Sequence, residues 1–151
     1  MRSRRPLGVV LVAVLLASCG GRPGVTVTIG GDVVSMALGS TSEGTACSTS
    51  IGDAFPQTVP LTTVRSAPPL TLHFEAGQGP SEMRGAIYDV DAPAASGGPD
   101  EEFSVAGRSG SYEARSVIAG RTYRVLVNVR WSFVVTRGEE THLFEVRLEP
   151  R

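Results

Sequence analysis

Tyr123 to Phe133 reads Tyr-Arg-Val-Leu-Val-Asn-Val-Arg-Trp-Ser-Phe, and every odd position is apolar or aromatic. The even positions are Arg124, Leu126, Asn128, Arg130 and Ser132, so only Leu126 breaks the alternation. Period two with β-branched and aromatic enrichment specifies a long strand that buries one face. A chain holding such a strand must supply other strands to pair with it and a second layer to cover its apolar face.

Its nearest partner follows at once. Thr136-Arg137-Gly138-Glu139 has turn composition, and Thr141 to Leu148 again alternates. A turn centred between Arg137 and Gly138 sets Trp131 opposite Phe144, Val129 opposite Val146 and Val127 opposite Leu148. On the other face it sets Arg130 against Glu145 and Asn128 against Arg147. A slip of one residue would put each aromatic against a charge, so we expect this register.

Shorter strands precede it. Val25, Val27 and Ile29 alternate up to Gly30-Gly31, and Val34, Met36 and Leu38 resume the pattern. A two-residue hairpin pairing Val27 with Val34 fits, and so does a strand that changes sheet at the glycines. Residues 39–69 are rich in Ser, Thr, Pro and Gly, with an edge strand expected near Thr58 to Val64. Leu70, Leu72, Phe74 and Ala76 then alternate with Thr71, His73 and Glu75. Met83 to Val90 is apolar on both faces, which predicts at least partial cover on both sides. Phe103 and Val105 are expected to pair with Ala114 and Tyr112 across the turn at Gly107 to Gly110.

These signals predict an all-β chain: an antiparallel, immunoglobulin-like β-sandwich of about seven to eight strands over residues 25–151. Gly120-Arg121-Thr122-Tyr123-Arg124-Val125 resembles the start of the penultimate strand in immunoglobulin-like domains, where a glycine turn leads into a core-facing tyrosine. The Cys…Trp…Cys pattern of antibody domains is absent.

The N-terminus is of a different kind. Arg2, Arg4 and Arg5 precede an apolar run from Leu7 to Leu16 broken only by Gly8, and small residues follow. This is the order of an export signal, with a helical core far short of the roughly 20 residues that span a membrane. Pro6-Leu7-Gly8 departs from a twin-arginine signal, so general secretion is expected. Leu16-Ala17-Ser18-Cys19 resembles the lipobox of bacterial lipoproteins. The resemblance implies that residues 1–18 are a signal peptide and that Cys19 receives a diacylglyceryl group and becomes the first mature residue. It also implies fatty acylation of the palmitate class and residence on the cell membrane facing outside the cytoplasm, or on an outer membrane where there is one. Several acyl chains anchor durably. Residues 19–24 are then a short linker, of which the five from Gly20 to Gly24 reach about 17 Å when extended. Residues 25–149 are further similar to small envelope lipoproteins built on an immunoglobulin-like domain. That similarity lies in Leu38-Gly39-Ser40, Cys47 and the Trp131 hairpin, and it implies no functional residues.

Charge narrows the partners. Removing residues 1–18 takes three of the 14 basic residues and none of the 15 acidic ones, leaving a net charge of −4. That disfavours nucleic acid or an anionic surface as an electrostatic partner of the chain as a whole, and the membrane is met through Cys19, with another envelope protein or polymer as a further partner. With Cys19 acylated, Cys47 has no partner for an internal disulfide and reads as a small buried hydrophobe.

No catalytic constellation is legible. There is no Gly-x-Ser-x-Gly elbow and no lysine for a Ser-Lys dyad. His73 falls off the core face of its strand, and His142 is in phase with Phe144. Two histidines at such positions do not make a zinc site. Asp89, Asp91, Asp100, Glu101 and Glu102 bracket one loop, and hard oxygen donors at that density are the one candidate calcium site. Their spacing fits no EF-hand, and acidic runs at loop ends are ordinarily solvated, so we expect no metal and no cofactor. The expected function is a membrane-anchored, non-catalytic binding or structural module. The alternatives are an envelope enzyme inhibitor or immunity-type protein, and a small redox or catalytic protein using Cys47.

Overall fold

Eleven strands and no helix make up the residues described by the computed structural model, which are 22–45, 49–52, 56, 58–77, 80–93, 97–132 and 136–150. The signal segment with Cys19, and Cys47 and Phe133, lie outside them. In chain order the strands are β1 (Val25–Ile29), β2 (Asp32–Val33), β3 (Ala37–Thr45), β4 (Thr49–Gly52), β5 (Leu61–Arg65) and β6 (Leu70–Ala76). There follow β7 (Pro80–Asp89), β8 (Glu101–Ala106), β9 (Ser109–Ala114), β10 (Thr122–Ser132) and β11 (Thr136–Glu149).

They form two sheets. One is four-stranded, in the order β2-β1-β6-β9; the other is seven-stranded, β4-β3-β11-β10-β7-β8, with β5 pairing in parallel along the far half of β11. All other pairs are antiparallel. The β-sandwich is as expected, with more strands. The edge strand expected near Thr58 to Val64 is present as β5, and the additions β3 and β4 come from residues 37–52, where Ser, Thr and Gly occupy both faces and leave no period to read.

The core lies between the sheets. Val27, Ile29, Leu72 and Phe74 of the small sheet meet Met83, Ile87, Val125, Val127, Phe144 and Val146 of the large one, all at most 2% exposed. β6 follows the expected alternation, burying Leu70, Leu72, Phe74 and Ala76 while Thr71, His73 and Glu75 face solvent. β7 has the cover expected, full on one face and partial on the other. Met83 and Ile87 are fully buried, while on the outer face Ala86 is half-buried and Tyr88 is 36% exposed.

Three further expectations are refined. Gly30-Gly31 does turn a two-residue hairpin, setting Thr28 against Val33 with the Val34 N–H on the Val27 carbonyl at 2.9 Å. The change of sheet comes afterwards, before β3. Second, β8 and β9 are not a hairpin: the chain changes sheet at Gly107 (φ 78°), so Phe103 pairs with Gly85, and Tyr112 pairs with Leu72. Phe103 and Tyr112 still meet, stacked across the sandwich with ring centroids 4.8 Å apart. Phe74 approaches the other side of Phe103 at 5.3 Å. Gly85 is what lets Phe103 lie flat on its own sheet, since a Cβ there would fall 2.1 Å from the ring.

Third, the β10–β11 register differs from the expected one. Each β10 residue meets a partner six positions earlier on β11: Trp131 faces Gly138 rather than Phe144, Val129 faces Glu140 rather than Val146, and Val127 faces His142 rather than Leu148. Arg130 faces Glu139 instead of Glu145, and Arg147 faces Thr122 instead of Asn128. Six is even, so each side chain keeps its expected face. The cause is Gly138. It is not the turn; it sits in β11, where a side chain would meet Trp131 Cζ2 at 2.3 Å, and its bareness seats the indole.

At the other end of β10, Gly120 (φ 87°) turns the chain and Tyr123 enters the core at 1% exposure. Its hydroxyl accepts the Ile118 N–H at 2.9 Å. A tyrosine near the start of a strand whose hydroxyl ties back to backbone a few residues upstream has tyrosine-corner geometry, which fixes the turn against the sandwich core.

Candidate functional site

β1 runs away from residue 24, and the ladders built on it and on β10 give the sandwich two distinct ends. Residues 22–25, 44–45, 49, 76–77, 80, 106–110, 131–132 and 136–138 share the end where the chain enters; residues 30–31, 89–93, 97–101 and 115–121 share the opposite one.

The far end holds the acidic loop. Its carboxylates are engaged with the chain itself. Asp100 Oδ2 accepts the Asp89 N–H at 2.6 Å, Asp89 Oδ1 accepts the Asp91 N–H at 2.9 Å, and Asp91 Oδ2 accepts the Thr122 N–H at 2.8 Å. Arg121 pairs with the remaining Asp89 oxygen. Glu101 bridges to the other sheet, accepting the Tyr112 hydroxyl and the N–H groups of Arg115 (3.0 Å) and Ser116 (2.8 Å). Glu102 stands exposed on β8. Among the described residues no group of three or more His, Cys, Asp or Glu side chains is arranged to hold a metal ion. Such acceptor-rich loops fix backbone N–H groups that would otherwise be unpaired.

The Glu101–Tyr112 bond makes stability pH-dependent. Burial opposes the charged Glu101, yet the donors from Tyr112, Ser116 and Arg115 prevail and hold its carboxyl below the ordinary 4.5. Burial, with the Glu101 hydrogen bond and charge, pushes Tyr112 from 10 up to about 12. A lowered carboxyl contributes stability above its unfolded value that is lost as pH falls through the folded one. A raised phenol contributes stability below pH 10 that is lost as pH rises toward 12. Urea midpoints measured across pH should therefore fall on both sides, and Tyr112→Phe should flatten the alkaline fall. An unchanged alkaline slope in that variant would remove Tyr112 from the account.

The entrance end is organised differently. Arg22 Nε lies 3.8 Å from Glu43 Oε2, Pro23 is buried, and the Gly24 carbonyl accepts the Gly77 N–H at 2.9 Å. Residues 22–24 are thus part of the fold rather than free linker. Beside them, on the outer face of the large sheet, a cavity of about 360 Å³ opens between β3–β4 and β10–β11. Ser42, Thr49, Arg130, Ser132, Arg137 and Glu139 supply its polar lining, and Gly44, Trp131 and Gly138 also line it. Glu139 is held by Asn128 Nδ2 at 2.5 Å and lies 3.6 Å from Arg130. No carboxylate among the described residues pairs with Arg137.

The chain matches no protein-family model, no curated protein and no solved structure. Function has to be read from site chemistry.

The two histidines sit apart. His73, exposed on β6, shares a 2.6 Å hydrogen bond with Ser111 Oγ. His142 is in phase with Phe144, as the alternation predicts, and its Nε2 lies 2.8 Å from Glu140 Oε1. Glu140 is 3% exposed on the inner face of β11. This pair was not legible in the sequence, because the turn expected at Arg137-Gly138 put Glu140 near the hairpin tip. No helix among the described residues is long and apolar enough to cross a membrane.

Proposed function

We propose that this chain is a membrane-anchored extracytoplasmic lipoprotein whose sandwich is a non-catalytic module presenting its far end to a partner in the cell envelope. The observation that carries this reading is the complete Leu16-Ala17-Ser18-Cys19 motif behind a charged and then apolar segment. Residues 22–24 support it, since they tie the chain's entrance to one end of the sandwich and leave the acidic loops at the other. The far end also exposes Val90 and Ile118 beside Asp91 and Arg121, a mixed apolar and charged surface suited to protein recognition.

The test is direct. Cys19→Ala expressed in a bacterial host should lose all incorporation of a fatty-acid probe and leave the membrane fraction. Persistent labelling of that variant would refute lipidation at Cys19.

A further inference from the structure

We infer that the entrance end of the sandwich rests on the bilayer surface, with the cavity between β3–β4 and β10–β11 receiving the phosphate of an anionic phospholipid headgroup. The inference rests on lipidation at Cys19 and adds an orientation, a lipid class and two binding side chains. The first ground is reach. Because Arg22 is fixed to Glu43, only three Cα–Cα steps separate the acylated residue from the folded domain, about 10 Å at full extension. Gly44, the residue after Glu43 on β3, lines the cavity, which therefore opens at the same end of the sandwich as the point where the chain enters, on the other face of β3 from Glu43. The headgroup layer on each side of a bilayer is itself about 5–7 Å thick.

The second ground is chemistry. Arg130 and Arg137 outnumber Glu139, the one carboxylate lining the cavity, and that carboxylate already takes Asn128. A guanidinium presents a planar fork that matches phosphate, and the hydroxyls of Ser42, Thr49 and Ser132 add donors around it. The third ground is the distribution of charge. The half of the sandwich next to residue 22 carries as many arginines as glutamates, whereas the excess acid collects around Asp89, Asp91, Asp100, Glu101 and Glu102 at the far end. An anionic surface repels the far end and accepts the near one. Of the exposed apolar side chains, Val33, Val90 and Ile118 are at the far end, whereas Ile51 on β4 stands opposite the cavity-lining Ser42 and meets the interfacial layer beside the headgroups.

Trp131, the single tryptophan of the chain, borders this cavity and reports on it. The full acylated protein is reconstituted in vesicles of phosphatidylcholine alone or with phosphatidylglycerol, each carrying a headgroup spin label, and Trp131 quenching is read. Strong quenching in the anionic vesicles and weak quenching in the neutral ones is expected. Arg137→Gln should weaken the lipid dependence about fivefold, the loss of one surface cation's attraction, while Arg65→Gln at the far end leaves it unchanged. Equal quenching in both vesicle types would overturn the selection of an anionic headgroup. Relief of quenching by millimolar inorganic phosphate would overturn the headgroup as the natural occupant in favour of a free anion. Absence of quenching in a protein that still carries the fatty-acid label would overturn the docked orientation and leave the anchor standing. Absence of the label would instead remove the anchor itself.

Discussion

Gly85→Ala should destabilise the domain by about 3 kcal/mol, the upper part of the usual range for overpacking a core. The added methyl would sit 2.1 Å from Phe103 Cζ and 2.7 Å from the Leu126 carbonyl oxygen. The ring cannot step aside, because Phe74 and Tyr112 hold its two sides at 5.3 and 4.8 Å. The carbonyl belongs to β10, which is paired with β7 along its length, so it cannot yield either. Urea unfolding checks the magnitude, and a double-mutant cycle checks the cause. Phe103→Leu removes the atoms nearest the new methyl, so the pair Gly85→Ala/Phe103→Leu should be more stable than the sum of the single costs predicts, by about 1–3 kcal/mol. Strict additivity would mean that the glycine acts through backbone freedom alone.

His142→Ala should cost about 3 kcal/mol, chiefly through the partner it abandons. Glu140 is 3% exposed, faces Val129 across the ladder, and takes its side-chain hydrogen bond from His142 at 2.8 Å. A buried carboxylate without that donor bears its full desolvation cost. Glu140→Leu combined with His142→Leu removes both polar groups and should recover most of the loss, as replacing a buried pair by apolar residues often does. Chemical denaturation of the wild type, single and double variants decides the matter. A double variant no more stable than His142→Ala would show that shape, and not the unpaired carboxylate, sets the cost.

Where the sequence could be read, and where it could not, follows from what each residue type signals. Alternation identified β6 and β10 and the inner face of β11 correctly, because a two-residue period survives any even shift in pairing. Gly138 was misleading for a physical reason. Glycine marks a turn when the backbone needs its freedom and marks a strand when a bulky neighbour needs its emptiness, and the letter is the same in both cases. Here the neighbour was Trp131, and the same use recurs where Gly85 underlies Phe103. The β8–β9 corner was read as a hairpin because Gly107 and Gly110 suit either a hairpin or a change of sheet, and only the second layer decides between them. Residues 37–52 gave no period, since the outer strands they form are largely exposed or half-buried, whereas the edge strand expected near Thr58 to Val64 is present as β5. The acidic loop was legible as a cluster but not as a scaffold: spacing shows that carboxylates are near one another, and says nothing of the backbone N–H groups they accept. Arg130 and Arg137 were each visible, but the cavity they share depends on how β3–β4 folds beside β10–β11.

The long strand β11 is bordered on one side by β10 and on the other by β3 near the entrance and β5 beyond it. Were the domain held by lipid at the entrance end and gripped by a partner at the far one, tension would run along the strands. Ladder hydrogen bonds lie across that direction. Many would then carry the load together, rather than opening one after another as in a hairpin peeled from its tip. Such a module would resist stretching between a membrane and whatever it holds, and would yield more readily to a sideways pull on the exposed edge strand β4.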